Sequence, residues 1–154
     1  MNTPTLGYED NTLISKREIA TLQLSEAIAL FLAQKFVCAI TLAGASEAVL
    51  AGLLAAQGEL SVVEDSTAAI QKLREHTGLL VAEGKKKSEI YNDWNNARNK
   101  LKHHSKSEEE LVNLNLFDDA CWMIKRALAN AERLGVKVDI RDDFENWIII
   151  NINM

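Results

Sequence analysis

Between Asn92 and His104 the chain reads Asn-Asp-Trp-Asn-Asn-Ala-Arg-Asn-Lys-Leu-Lys-His-His. Two of these residue types can do chemistry on a phosphodiester. A histidine such as His103 titrates near neutral pH and can take or give a proton. An arginine such as Arg98 stays charged and forks onto phosphate oxygens. RNA cleavage without a metal needs a base for the 2′-hydroxyl and charge stabilisation at phosphorus, and this pair offers both. Asn99 is placed to orient the phosphate or His103. Lys100 and Lys102, with Asn95, are candidates to hold the RNA backbone. His104 follows directly, so either histidine can be the base. The plainer alternative is that Arg98 and His103 are solvated residues near a helix end, where cations favour the dipole.

The segment must sit on an element that presents it. Asn92, Asn95 or Asn96, Asn99 and His103 fall along one helical stripe. Asparagine is a mediocre helix former, so this run weakens a helix unless the side chains are used. A fourth helix is predicted over roughly Lys86 to His103. Ahead of it, Ser15 and Glu18 have the spacing of a capping box, placing the first helix start near Lys16. A tight turn is expected at Gln34-Lys35, since one straight helix to Gln57 would run about 60 Å. The second helix, about Phe36 to Gln57, carries Gly44, Ala48, Gly52 and Ala56 every four residues, a stripe expected to serve internal packing. A third helix is predicted over Glu64 to His76, ending at Gly78. Val112, Leu114 and Leu116 alternate with asparagines, which suggests a short extended piece. Phe117, Cys121, Ile124, Leu128 and Ala131 share a face of the next helix, ending at Leu134. A last short helix holds Phe144, Trp147 and Ile148.

Glu47 is the only charged residue from Phe36 to Gly58. A buried carboxylate needs a partner, and Arg98 suits; the alternative is that Glu47 reaches solvent at a helix edge. The stretch around Glu47 is long enough to cross a bilayer. Its small residues, the adjoining Lys35 and Glu47 itself favour a helix buried in a soluble bundle, with no membrane role.

Arg98-Asn99-Lys100-Leu101-Lys102-His103 resembles the R-x(4–6)-H signature of HEPN domains, small α-helical bundles that include many RNases of toxin–antitoxin and defence systems. The resemblance is sharp only over these residues. It implies Arg98 and His103 as catalytic residues, Asn99 and His104 as supporting ones, and a 2′,3′-cyclic phosphate product; Glu47 would support the site as the partner of Arg98. It also implies a homodimer and, for a toxin, an antitoxin protein as partner. Geometry agrees with the dimer: five residues along a helix advance about 7.5 Å and rotate about 140°, so Arg98 and His103 of one helix point apart. A non-catalytic HEPN-like module that binds a partner protein or nucleotide is the competing expectation.

The bulk numbers bound the rest. The chain has 154 residues, 47% of them hydrophobic, one proline and a net charge of −5. That is one all-α domain, an antiparallel bundle of five to six helices over residues 15–154 behind a flexible tail at 1–14. The acidic total excludes a general nucleic-acid coat. From Lys85 to Lys106, however, seven basic residues face two acidic ones, a local +5 that leaves −10 for the remainder. Cys38 and Cys121 both lie in apolar helical patterns and read as buried free thiols of a reducing compartment. The N-terminus does not resemble a secretory signal, so the expected location is cytoplasmic. His103, His104, Glu108 and Glu109 match no zinc spacing, so no metal or other cofactor is expected. His76 reads as a helix C-terminal residue, and Trp94, Trp122 and Trp147 as core rather than base-stacking residues. No glycine-rich phosphate loop, Ser/His/Asp set or cysteine nucleophile is visible.

Overall fold

A computed structural model describes residues 6–152. Those residues form α1 (Lys16–Leu32), α2 (Phe36–Ala56), α3 (Val62–Thr77), a short 3-10 turn at Val81–Gly84, α4 (Lys87–Trp94), α5 (Asn96–Lys102), α6 (Leu116–Arg133) and α7 (Arg141–Asn151). No strand occurs among them, so the expected all-α class holds. Residues 6–14 are exposed and carry no helix; the first part of the expected tail, residues 1–5, lies outside the described residues.

The helix starts follow from local chemistry. The Ser15 hydroxyl accepts the Glu18 amide at 3.0 Å. Ser61 and Glu64 form a full capping box, with Glu64 reaching back to the Ser61 amide at 3.1 Å. Helix α3 therefore begins at Val62, ahead of the expected Glu64. The α1–α2 turn sits where expected: Gln34 takes φ 61° and the Lys35 amide donates to the Leu30 carbonyl at 2.8 Å. These bonds satisfy carbonyls that a helix end leaves open.

Helix α2 is the centre of the fold, packed on α1 and α6. It is long and apolar enough to cross a membrane. In the fold it buries Ile40, Ala43 and Leu50 in one core with Leu24 and Ile28 of α1 and Ile124 of α6. Each large aliphatic side chain so buried contributes roughly 1.5–3 kcal/mol. At one end Phe31 sits among rings, 5.4 Å from Phe36, 5.2 Å from Phe144, 5.3 Å from Trp147 and 5.6 Å from Phe117. Helix α7 is fastened there by Phe144 and Ile148, the residues expected to anchor it.

Several expectations need correction. The single fourth helix is broken into α4 and α5 at Asn95, which takes φ −105°, ψ 3°; this split raises the helix count to seven. The small-residue stripe of α2 does not pack as a unit: Gly44 is buried, but Ala48, Gly52 and Ala56 are exposed, because the helix turns that edge outward. Trp94 and Trp122 are exposed rather than core, and Cys38 is exposed while Cys121 is buried. Residues 111–115, the expected extended piece, carry neither helix nor strand, and α6 begins at Leu116.

Candidate functional site

The polar centre of the molecule is Glu47. Its helix has no other charge, so the carboxylate must find partners across the bundle. Its exposure is only 4%. One oxygen, Oε2, faces Arg98 Nη1 of α5 at 3.4 Å. The other, Oε1, faces Arg126 Nη2 of α6 at 3.4 Å and accepts from Asn130 Nδ2 at 3.5 Å. All three contacts are longer than the roughly 2.7–2.9 Å of a tight charge-assisted bond, so one carboxylate is shared rather than clamped.

Each partner is held in turn. The stem of Arg98 crosses Gly44, one turn before Glu47; a Cβ there would lie 2.6 Å from Arg98 Cδ and 2.7 Å from Cγ. Only glycine lets the arginine lie this close to α2. Arg126 donates to the Trp94 carbonyl and to Asn95 Oδ1, each at 2.9 Å. Those bonds explain the α4–α5 break, because they claim the backbone and side chain at the junction. Asn130 accepts the Val62 amide through Oδ1 at 2.9 Å, an otherwise open donor at the start of α3. Burial lowers the Arg126 pKa; Glu47 opposes that shift and Arg98 adds to it. Burial raises the Tyr91 phenol, assisted by the Glu64 and Glu47 charges and opposed by a Ser61 hydrogen bond and Arg126.

The expected pairing of Glu47 with Arg98 is therefore present. Arg126 and Asn130 were missed. The signal was available: Asp119, Trp122, Arg126, Asn130 and Arg133 recur at helical spacing, a polar stripe opposite the apolar face of α6. Asn95, expected at an RNA surface, is buried with its carbonyl oxygen on Arg126, so its task here is structural.

The remaining candidates lie elsewhere. His103 ends α5 with extended backbone and is exposed, as are Asn99, Lys100, Lys102 and His104. Lys100, Lys102, His103 and His104 line an open groove of about 420 Å³ whose other wall is Glu108, Glu109 and Glu110. Glu108 is pulled below the usual carboxylate range, first by the Ser105 amide and then by the Ser105 side chain and the two histidines. Among the described residues no contact joins Arg98 to His103. Arg98 turns inward to α2 while His103 leaves the helix end, consistent with about 140° of rotation between them. Of the Arg98 guanidinium nitrogens, only Nη1 has a hydrogen bond among the described residues, and the side chain is 24% exposed. No group of three or more metal-ligating side chains converges among the described residues.

Comparison with family models, with curated proteins and with solved structures finds no significant match.

Proposed function

We propose that this chain is an HEPN-like, metal-independent endoribonuclease whose site is completed by a second copy. The observation that supports this reading is the arrangement of the Arg98 segment. Buried Glu47 fixes Arg98 with part of its guanidinium still open to solvent, and the same short helix ends in an exposed histidine flanked by lysines. One chain alone points these groups apart. Two α5 helices meeting across a two-fold axis would put Arg98 of one copy beside His103 of the other.

In this mechanism His103 takes the proton of the 2′-hydroxyl, and the freed oxygen attacks phosphorus. The bond from phosphorus to the 5′-oxygen breaks, leaving a 2′,3′-cyclic phosphate. The leaving oxygen takes a proton from groove water, and the resulting hydroxide recovers the proton from His103. Arg98 stabilises the added charge on the non-bridging oxygens, an effect worth several kcal/mol in related oxyanion sites. Lys100 and Lys102 hold flanking phosphates. The test is incubation of the protein with single-stranded RNA in EDTA. Products ending in 2′,3′-cyclic phosphate, absent with Arg98→Ala or His103→Ala, support the reading; cleavage lost in EDTA discards it.

A second reading has its own support. Arg98 is already partly neutralised by Glu47, and three glutamates wall the groove beside His103. Those features suit a non-catalytic module that binds a protein or nucleotide, with an antitoxin or other partner as its target. RNA that binds but is never cut would favour it.

A further inference from the structure

A different cleft, between α3, α4 and α6, is lined by Val62, Val63 and Ser66 on one side and Asp93, Trp94, Asp119, Trp122 and Arg126 on the other. Its volume is about 440 Å³, within the range of small-molecule sites. Two tryptophans border one cleft while remaining 39% and 60% exposed, an arrangement that a folded core does not require. Trp94 is held in place because its carbonyl accepts from Arg126 at 2.9 Å. Two carboxylates border the same space, and they differ. Asp93 is occupied by Lys85 at 2.7 Å. Asp119 is half-buried, and its carboxylate has no hydrogen bond or ion pair among the described residues. Burial, with Asp118 beside it, raises the Asp119 pKa. Arg126 also lines the cleft, with its Nε buried and without an acceptor among the described residues.

We propose that this cleft binds a guanine base. The tryptophan faces supply stacking surfaces, which every base can use. The free carboxylate supplies the selection. Guanine presents two adjacent donors, N1–H and the N2 amino group, matching the two oxygens of Asp119. Adenine, cytosine and uracil each present a single donor group on that edge and leave an oxygen unmet, at a cost in affinity. A simple cation is disfavoured, because no group of three ligating side chains converges there among the described residues. The base can come from a free guanine nucleotide or from single-stranded RNA; the RNA source rests on the RNA-directed reading above.

The test follows tryptophan emission of the full chain during titration with guanosine, inosine, adenosine, cytidine and uridine monophosphates. Saturable quenching by the guanosine compound is expected, with inosine monophosphate, which lacks the N2 amino group, at least about tenfold weaker. Asp119→Asn should erase the guanosine-over-inosine preference, and Trp122→Ala should weaken binding about tenfold with unchanged circular dichroism. Equal quenching by guanosine and adenosine monophosphates overturns the proposal, as does no saturation at millimolar nucleotide. If Asp119→Asn fails to fold, the guanosine-to-inosine ratio on the unaltered protein decides. Short RNAs with and without guanine then separate the sources. His103-dependent cleavage without guanine binding sinks this site alone, whereas guanine binding without cleavage sinks only the nuclease.

Discussion

Replacing Glu47 with glutamine keeps the shape of the side chain and removes its charge. Arg98 and Arg126 would then face each other across a neutral amide, one 24% and the other 12% exposed. Removing one partner of a buried ion pair costs about 3–5 kcal/mol, because the other charge stays desolvated. The 3.4 Å contacts and the partial exposure of Arg98 lower that figure. The sharing of one carboxylate by two guanidinium groups raises it. We expect a loss of about 3 kcal/mol, most of it from stranded positive charge. For a chain of this size that lowers Tm by roughly 6–12 °C. Far-UV circular dichroism during heating, with the urea midpoint alongside, gives the answer. Adding Arg98→Met to Glu47→Gln should cost much less than the two single changes summed, since the stranded charge goes with it. A Tm change below about 2 °C for Glu47→Gln, or strict additivity, would refute this account of the polar centre.

Three further outcomes are expected. Gly44→Ala should destabilise by about 1–2 kcal/mol despite the better helix propensity of alanine, because Arg98 Cγ and Cδ lie where the new methyl group would go. In an Arg98→Ala background the same change should become neutral or stabilising, and chemical denaturation of the four proteins measures the reversal. Phe31→Ala, which empties the ring cluster joining α1, α2, α6 and α7, should cost about 3–5 kcal/mol in urea unfolding. Asp119 has a raised pKa in the fold through burial and then Asp118, so its ionised form opposes folding. That penalty is absent below the unfolded aspartate range and complete above the folded pKa. The stability of Asp119→Asn relative to the unaltered protein should therefore rise as pH climbs from strongly acidic to neutral, as Tm measured across that range will register.

Much of this arrangement is legible in the amino-acid order, and the exceptions have physical causes. Caps are local chemistry, so Ser15 and the turn at Gln34-Lys35 place helix ends directly. Glu47 stands out because a lone charge on an apolar helix has to be answered from another element, and Arg98 answers it. The second arginine was hidden because charged residues on the polar face of an amphipathic helix are usually solvated. Arg126 is instead drawn inward, where Glu47, the Trp94 carbonyl and the Asn95 side chain, all on other elements, meet its guanidinium. The asparagine run hinted at a weakened helix but not at which residue would break it. The α2 stripe misled for a related reason: four-residue spacing defines a face but not its neighbour, and only Gly44 meets one, the stem of Arg98. Trp94 and Trp122 are exposed although the sequence points to core, since hydrophobicity alone does not separate a core ring from one bordering a cleft.

The proposed composite nuclease site is tested most directly by complementation. Arg98→Ala and His103→Ala chains are purified separately, mixed in equal amounts and allowed to exchange subunits, and RNA cleavage is followed in EDTA. Each variant alone should be inactive. Half of the mixed population should be heterodimers, each holding one intact pairing of Arg98 with His103 out of two, so cleavage should return to about a quarter of the unaltered rate. No recovery, with native mass spectrometry showing that heterodimers have formed, would contradict the proposal that two copies build the site, as would full activity in either variant by itself.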